Sequence, residues 1–157
     1  MVEGVRPATD GDIERVAALC RQALADMAPA RGGAVFVARE ARAEPLEDGL
    51  AAALADPRQR VWVGTIDDVV VAYAVAGVEK LRTDELLGVI DDIYVEPEAR
   101  SVGVGEALMA AALEWLQSER CTGVDARALP GDRATKNFFE ASGFSARLLV
   151  MHHRIDR

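Results

Sequence analysis

The sequence predicts an α/β fold in which helices pack on a sheet of mixed parallel and antiparallel strands. Three consecutive β-rich segments, residues 60–66, 69–78 and 86–95, are separated by short polar turns, which is typical of an antiparallel meander. A helical pattern then covers residues 106–118, and alternating apolar and polar side chains follow over residues 121–129. Because a strand–helix–strand unit crosses over its sheet, the strands on either side of this helix are expected to be parallel.

The N-terminal part of the chain contains signals for one strand and one helix. Residues 2–6 are predicted to form a short strand. Thr9 is the predicted N-cap of the helix, and Asp12 occupies the position from which a capping-box carboxylate reaches back to the N-cap. Apolar residues then recur at helical spacing until Pro29 ends the helix.

The remaining segments bring the expected number of helices to about four. Residues 28–44 contain two adjacent glycines and are predicted to be a mobile connection that leads to a helix over residues 46–54. Asp132 is the predicted N-cap of the last helix, and Gly143 is the residue expected just past its end. Residues 144–155 are predicted to form a last strand or strand pair.

Length and charge restrict the classes of function. The 157 residues are enough for one core, so we expect residues 1–157 to form a single domain. The chain has 18 basic and 26 acidic residues and a formal charge of −8, so nucleic acid is not an expected partner. A cationic substrate would be attracted to such a surface, although the acidic residues could equally serve solubility alone.

The sequence lacks the patterns of a membrane helix, a signal peptide, a zinc site and a disulfide framework. No apolar stretch reaches the ~20 residues of a membrane helix, and the N-terminal residues lack the pattern of a signal peptide. Cys20 and Cys121 have neither the spacing of a zinc site nor that of a disulfide framework. We therefore expect no metal, no membrane partner, two reduced and buried cysteines, and a cytoplasmic location.

A loop with two glycines, residues 100–105, separates the third meander strand from the following helix. Gly103 and Gly105 can adopt positive φ angles and place no Cβ in the path of a ligand. Unpaired amides at the head of a helix bind phosphate, and Arg100 can add a charge-assisted contact. The P-loop pattern is absent, and Leu108 stands where a dinucleotide fingerprint needs a small residue. The loop thus predicts a phosphate site of another type.

The segment over residues 93–105, with the sequence IYVEPEARSVGVG, resembles motif A of the GNAT acetyltransferases, whose loop reads Gln/Arg-x-x-Gly-x-Gly/Ala. The resemblance continues to Gly143 and Phe144 and, more weakly, covers nearly the whole chain. It implies the GNAT fold, in which the mixed central sheet splays at the loop, and acetyl-CoA as co-substrate. The implied acetyl-CoA contacts are Ile93, Tyr94, Val95, Arg100, Ser101, Val102, Gly103, Val104, Gly105, Asp132, Asn137 and Phe139.

Acetyl transfer needs a neutral amine, and Asp91 and Asp92 are the candidate general bases. An amine with a pKa of ~10.4 is only about one part in a thousand neutral near pH ~7.5, so deprotonation costs about 4 kcal/mol. Neighbouring negative charge and burial both raise the pKa of a carboxylate. Since adjacent strand residues point to opposite faces, we expect one aspartate to act on the amine and the other to be structural, with a slight preference for Asp92. The alternative is that both are solvated carboxylates.

The sequence departs from the family at the expected proton donor for the leaving thiolate. Phe139 stands where many members have a tyrosine, so water or Tyr94 is the predicted proton source. His152 and His153 are rival bases but are expected to be exposed or packed across strands. The predicted function is acetyl transfer from acetyl-CoA to a primary amine of a small molecule or protein by direct attack. An acyl-CoA-binding regulatory domain without turnover is the alternative, and a homodimer stays open.

Overall fold

A computed structural model describes residues 1–156 of the chain. Over these residues one sheet of five strands is packed with five α-helices. The strands are β1 (Glu3–Pro7), β2 (Gln59–Ile66), β3 (Val69–Lys80), β4 (Leu86–Val95) and β5 (Gly123–Ala126). The helices are α1 (Ile13–Met27), α2 (Gly33–Arg39), α3 (Leu46–Ala55), α4 (Val104–Ser118) and α5 (Arg133–Ala141). Among them, none is long and apolar enough to cross a membrane.

The strand order in the sheet is β1-β2-β3-β4-β5, the same as the order in the chain. The first four strands are antiparallel neighbours, and β5 is parallel to β4, so the predicted meander and crossover unit are confirmed. At the turn between β2 and β3, Asp67 and Asp68 have φ angles of 49° and 66°. Two consecutive left-handed residues match the twist of a two-residue hairpin, which explains why this polar pair connects the strands.

Two apolar clusters cover the two faces of the sheet. Helices α1 and α3 pack on one face, and α4 packs on the other. Glycines in the strands allow α4 to lie very close to the sheet. A Cβ on Gly64 would lie 2.5 Å from Val104, and one on Gly88 would lie 2.9 Å from Leu116. Because Val104 is the first residue of α4, this contact fixes the start of the helix, and with it the glycine loop.

The predicted capping box before α1 is present. The carboxylate of Asp12 accepts a hydrogen bond from the backbone N–H of Thr9 at 2.8 Å and is also paired with Arg6 at 2.7 Å. These contacts lower the pKa of Asp12 to about 2, and the hydrogen bond from Arg6 has the largest effect. At the other end of the chain Gly143 has a φ angle of 94°, which confirms its predicted place after the last helix.

Three expectations about secondary structure are wrong. Residues 28–44 are not an irregular connection throughout, because α2 lies within them and packs tightly: a Cβ on Gly33 would lie 1.9 Å from the carbonyl oxygen of Met27. The strand predicted over residues 121–129 is limited to β5. Residues 144–155 form no strand, although Arg147 in this segment pairs with Asp125 of β5.

Candidate active site

The parallel strands β4 and β5 separate halfway along β4. Their pairing runs from Leu87 opposite Gly123 to Ile90 opposite Ala126, where β5 ends. Strand β4 continues to Val95 and over this stretch pairs only with β3 among the described residues. The backbone groups of residues 91–95 that face the missing neighbour are therefore available to a ligand. This opening lies where the resemblance implies the splay of the sheet.

The glycine loop leads directly into α4. Arg100, Ser101 and Val102 lie in the turn before Gly103, which has a φ angle of 88° and is the N-cap of the helix. The first amides of an α-helix have no partner within the helix, and the positive end of its dipole lies at the same place. A Cβ on Gly103 would lie 3.1 Å from a carboxylate oxygen of Glu3, so a side chain there would be crowded as well as strained.

The ring of Phe138 connects α5 with this loop. A Cβ on Gly105 would lie 3.4 Å from this ring and 3.5 Å from Val95, so α5, the start of α4 and the end of β4 meet here. Phe139 is 7% exposed, and its ring centroid lies 5.5 Å from that of Phe144 and 5.8 Å from that of Phe138. The resemblance to the family indicated Phe139 as a site residue. It did not indicate that the ring of Phe138 would contact the loop.

The side chain of Arg100 lies at the end of β4. Its Nε donates a hydrogen bond to the carbonyl oxygen of Val95 at 2.8 Å, and its guanidinium lies 5.4 Å from the ring centroid of Tyr94. The hydroxyl of Tyr94 donates to Asp26 at 3.2 Å. Burial, followed by the charge of Asp26, raises the pKa of Tyr94, so the phenol keeps its proton and can act as a donor.

Asp92 belongs to a largely buried polar cluster. Arg42 donates to both carboxylate oxygens, at 2.7 and 3.3 Å, and the hydroxyl of Tyr73 donates at 2.9 Å. The side chains of Arg42 and Asp92 are only 15% and 11% exposed. The thiol of Cys20 lies 3.9 Å away, and burial raises its pKa to about 11, so it stays protonated. Sequence reasoning missed this cluster because Arg42 is 50 residues distant from its partner.

Asp91 lies in a β-bulge. The register of β4 on β3 shifts between Val75 and Ala76, and Asp91 is left as the extra residue. A Cβ on Gly77 would lie 3.6 Å from a carboxylate oxygen of Asp91, which places this side chain on the same face of the sheet as Asp92. The expectation that the two aspartates point to opposite faces is therefore wrong, because a bulge interrupts the alternation of a regular strand.

The surroundings of Asp91 suit a general base. Burial of its carboxyl raises the pKa of Asp91, and the charge of Asp92 raises it further, while Arg42 and Arg127 act in the opposite direction. Asp91 also remains partly exposed, so water moderates this increase and a substrate can reach the carboxylate. Arg127 follows β5 across the opening, where its guanidinium lies 5.6 Å from the ring centroid of Phe36 on α2.

The other predicted residues lie on α5 or in the C-terminal segment. The carboxylate of Asp132 accepts hydrogen bonds from the backbone and hydroxyl of Thr135 at 3.1 and 2.6 Å, which confirms it as the N-cap of α5. Asn137 is exposed on the same helix. His152 and His153 are both exposed, and neither is part of the cluster around the two aspartates.

Comparisons with known proteins agree with this geometry. The family model described as Acetyltransferase (GNAT) family matches residues 21–144. A variant of the BH1408 protein from Bacillus halodurans has a similar fold, with a TM-score of 0.83 and 21% identity over 99% of both chains. An aminoglycoside acetyltransferase from an uncultured soil metagenomic sample, solved with sisomicin, has a TM-score of 0.72 and 17% identity over 99% of this chain and 96% of that chain.

A third similar structure is AAC(6')-Iy in complex with a bisubstrate analogue, CoA-S-monomethyl-acetylneamine. Its TM-score is 0.72, with 17% identity over 100% of both chains. No curated protein matches the sequence. At such identities the solved structures support the fold, whereas the family model covers well over half of the sequence. Together with the splayed strands and the two-glycine loop at the head of α4, it shows that the chain belongs to the GNAT acetyltransferase family.

Proposed function

We propose that this protein is an N-acetyltransferase that moves an acetyl group from acetyl-CoA to a primary amine by direct attack. The observation that carries the proposal is the opening between β4 and β5 directly beside the start of α4. On one side of this opening lies a loop suited to phosphate. On the face of the sheet covered by α1 and α3 lies a carboxylate with a raised pKa. A thioester held between them would be open to an amine approaching Asp91.

The residues present fit acetyl-CoA at this position. The amides of residues 102–105 are proposed to bind its pyrophosphate, since they lie at the start of α4, where backbone N–H groups have no partner within the helix. The open backbone of residues 91–95 is proposed to pair with the pantetheine arm. The bound co-substrate supplies the activated acetyl group. The complex of AAC(6')-Iy with a CoA bisubstrate analogue supports this proposal by similarity of fold.

Asp91 is proposed as the general base and Asp92 as a positioning residue. The ammonium form of the amine loses a proton to Asp91, the nitrogen of the neutral amine bonds to the thioester carbonyl carbon, and the carbon–sulfur bond breaks as the thiolate leaves. The nitrogen releases its second proton to water as the amide forms. Water or Tyr94 then provides the proton for the thiolate. The carboxylate of Asp92 already accepts hydrogen bonds from Arg42 and Tyr73, so its oxygens are occupied within the protein. The earlier preference for Asp92 is thus replaced by one for Asp91.

The proposal is tested with the purified full chain, acetyl-CoA and a panel of amines. The panel contains a polyamine, an aminoglycoside, an amino acid, a lysine peptide and a peptide with a free N-terminus. Free thiol should appear only when a suitable amine is present, and mass spectrometry should find one acetyl group on that amine. Hydrolysis of acetyl-CoA at the same rate with and without every amine would contradict the proposal.

A regulatory domain that binds acyl-CoA without turnover is the second candidate. The observation in its favour is that Phe139 has no hydroxyl to protonate a thiolate and is enclosed by two other rings. Tight acetyl-CoA binding in calorimetry, combined with no acetylated product from any amine, would favour this candidate over the enzyme.

The proposal extends to the domain organisation of the protein and to its location in the cell. We propose that residues 1–157 act as one domain in the cytoplasm. Cys20 and Cys121 are both free thiols, which fits a reducing compartment. The acidic composition fits a cationic amine as acceptor, because a negative surface raises the local concentration of cations.

A further inference from the structure

Arg127 follows the last residue of β5 and lies across the opening from Asp91. The final pair of the parallel ladder joins Ile90 to Ala126, so Asp91 and Arg127 are the next residues along the two segments. Ala126 packs towards α4, whereas Arg127 contacts Phe36 of α2, and α2 packs beside α1. The side chain of Arg127 therefore lies on the same side of the sheet as the two aspartates.

The guanidinium of Arg127 has no carboxylate in ion-pair contact within residues 1–156. It lies over the ring of Phe36, 5.6 Å from the centroid, and Asp125, two residues earlier in the chain, is paired with Arg147 instead. A guanidinium that stacks by its face keeps the N–H donors along its edge free, and this edge matches a carboxylate in a two-pronged contact. The exposed Arg127 thus presents an unused anion-binding group at the opening.

The segment after β5 also packs against the start of α2. A Cβ on Gly32, directly before α2, would lie 3.7 Å from Leu129 and 4.0 Å from Pro130. Leu129 itself is buried. Because these contacts join the chain segments that carry Arg127 and Phe36, the guanidinium is held near the ring before a ligand binds. Such preorganisation reduces the entropy that is lost on binding.

A negative and a positive group therefore lie on the two sides of the opening. Burial raises the pKa of Asp91, and the charge of Arg127 is one of two that oppose this increase, so the two groups interact electrostatically. The other opposing charge, that of Arg42, is already bound to Asp92. A molecule that enters between Asp91 and Arg127 meets a carboxylate on one side and a cation on the other. This arrangement is complementary to a zwitterion.

We propose that the acceptor is a free amino acid, whose ammonium group lies at Asp91 and whose carboxylate is bound by Arg127. This inference rests on the proposed function, because it names the class of acceptor for the same site. A polyamine or an aminoglycoside carries only positive charge and would be repelled by Arg127. The amine of a protein lysine has no carboxylate beside it. The acidic surface still attracts the ammonium group, and Arg127 selects among the amines that arrive.

The first test measures kcat/KM for L-amino acids with small, apolar, acidic and basic side chains, and for the α-amide of each, which lacks the negative charge. We expect the wild type to prefer the acid. Arg127→Ala should lower the acid-to-amide ratio by roughly ten- to a hundredfold, and Arg127→Lys should restore part of it. Phe36→Leu should lower the ratio in the wild type and have no further effect in Arg127→Ala.

Arg82→Ala is the matched control, since it removes another exposed arginine, in the turn between β3 and β4, and it should keep the wild-type ratio. The melting temperature and the affinity for acetyl-CoA should be unchanged in both alanine variants. A wild type that acetylates only amines without an adjacent carboxylate would overturn the inference and leave the proposed function intact. So would a ratio that Arg127→Ala does not change.

The second test does not require turnover. Saturation-transfer NMR with the same amino acids, in the presence of coenzyme A, should detect binding to the wild type and to Arg82→Ala, but not to Arg127→Ala. If no amine is acetylated, the proposed function fails, and this measurement alone decides whether Arg127 binds amino acids. No binding to the wild type, or equal binding to Arg127→Ala, would overturn the inference.

Discussion

At the scale of single residues, Asp91 and Asp92 are neighbours in the sequence for which we propose different roles. Asp92 is held by Arg42 and Tyr73 in a largely buried cluster. Asp91 protrudes from a bulge, has a raised pKa and remains partly exposed. The difference comes from one extra residue in β4, which turns both carboxylates to the same face. Substitution of each aspartate separates the two roles.

We predict that Asp91→Asn reduces turnover by roughly 10²–10⁴ while acetyl-CoA still binds. In the wild type the rate should rise with pH as Asp91 loses its proton. Because its pKa is raised, this limb should lie above the ordinary aspartate value of ~3.9 and should be absent from the variant. A raised pKa also means that ionised Asp91 destabilises the folded state. The variant should therefore unfold at a higher temperature at neutral pH, with the difference vanishing in acid.

Asp92→Asn is predicted to act mainly on stability. It leaves the guanidinium of Arg42 largely buried without its carboxylate, and breaking such a pair costs on the order of 3 kcal/mol. Denaturant unfolding measures the loss, and adding Arg42→Met to the variant should recover part of it. If Asp92→Asn instead keeps its stability and loses the low-pH limb, Asp92 is the base.

Phe139→Tyr is predicted to raise turnover by up to about tenfold, or ~1.4 kcal/mol, if proton delivery to the thiolate limits the reaction. The new hydroxyl would be buried beside Phe144 and needs a partner, which the sulfur can provide. Acetyl-CoA affinity should hardly change. Phe138→Tyr is the matched control because it adds the same hydroxyl one position earlier. A gain in the control alone would mean that Phe138 is the ring nearest the sulfur.

At the scale of elements, the start of α4 both packs on the sheet and carries the proposed phosphate site. Val104 packs over Gly64 on the sheet, so the first turn of the helix cannot shift. Gly103 turns the chain into the helix with its positive φ angle. The loop amides are therefore held in place before any ligand binds, which reduces the entropy lost on binding.

We predict that Gly105→Val abolishes acetyl-CoA binding and that Gly105→Ala keeps the fold. A Cβ at this position meets Phe138 and Val95 at ordinary contact distances of 3.4 and 3.5 Å, so alanine fits, whereas the branches of valine would push against these side chains and displace the first turn of α4. Gly103→Val should also abolish binding, but with a loss of stability because of its φ angle. Titration calorimetry measures the affinity of both valine variants for acetyl-CoA. Gly123→Ala, whose Cβ would have its nearest neighbour at 4.0 Å, serves as the control. Unchanged affinity in both valine variants would place the site elsewhere.

The capping box before α1 is expected to stabilise the folded protein. Asp12→Asn should lower the free energy of unfolding by about 1 kcal/mol at neutral pH, since it weakens both the cap and the pair with Arg6. The pKa of Asp12 is lowered to about 2, so this stabilisation is present above the unfolded pKa of ~3.9 and is lost as the pH falls through about 2. Unfolding curves that differ equally at neutral and strongly acidic pH would contradict this account.

At the scale of the whole molecule, the sheet separates two tasks. Helices α1 and α3 cover the face that holds the two aspartates. Helix α4 covers the other face and fixes the glycine loop at its own start. In the proposed function, the amine and acetyl-CoA meet at the opening between β4 and β5.

Much of this arrangement could be predicted from the sequence alone. The meander, the parallel crossover, the cap at Asp132 and the turn at Asp67 all depend on residues close together in the chain. The family, and with it the proposed co-substrate, depends on the short segment over residues 93–105. These signals are local, because turn angles, helix caps and the alternation of side chains are set by neighbouring residues.

Only the tertiary structure decided which aspartate is free. The bulge at Asp91 arises from the pairing of β4 with β3, and the cluster around Asp92 joins residues that are 50 and 72 positions distant from it. The same holds for residues 144–155, whose pattern predicts a strand although none of them pairs with a strand in the described chain. A strand is defined by its neighbour as much as by its own residues, and contacts between distant segments leave no periodic trace in the sequence.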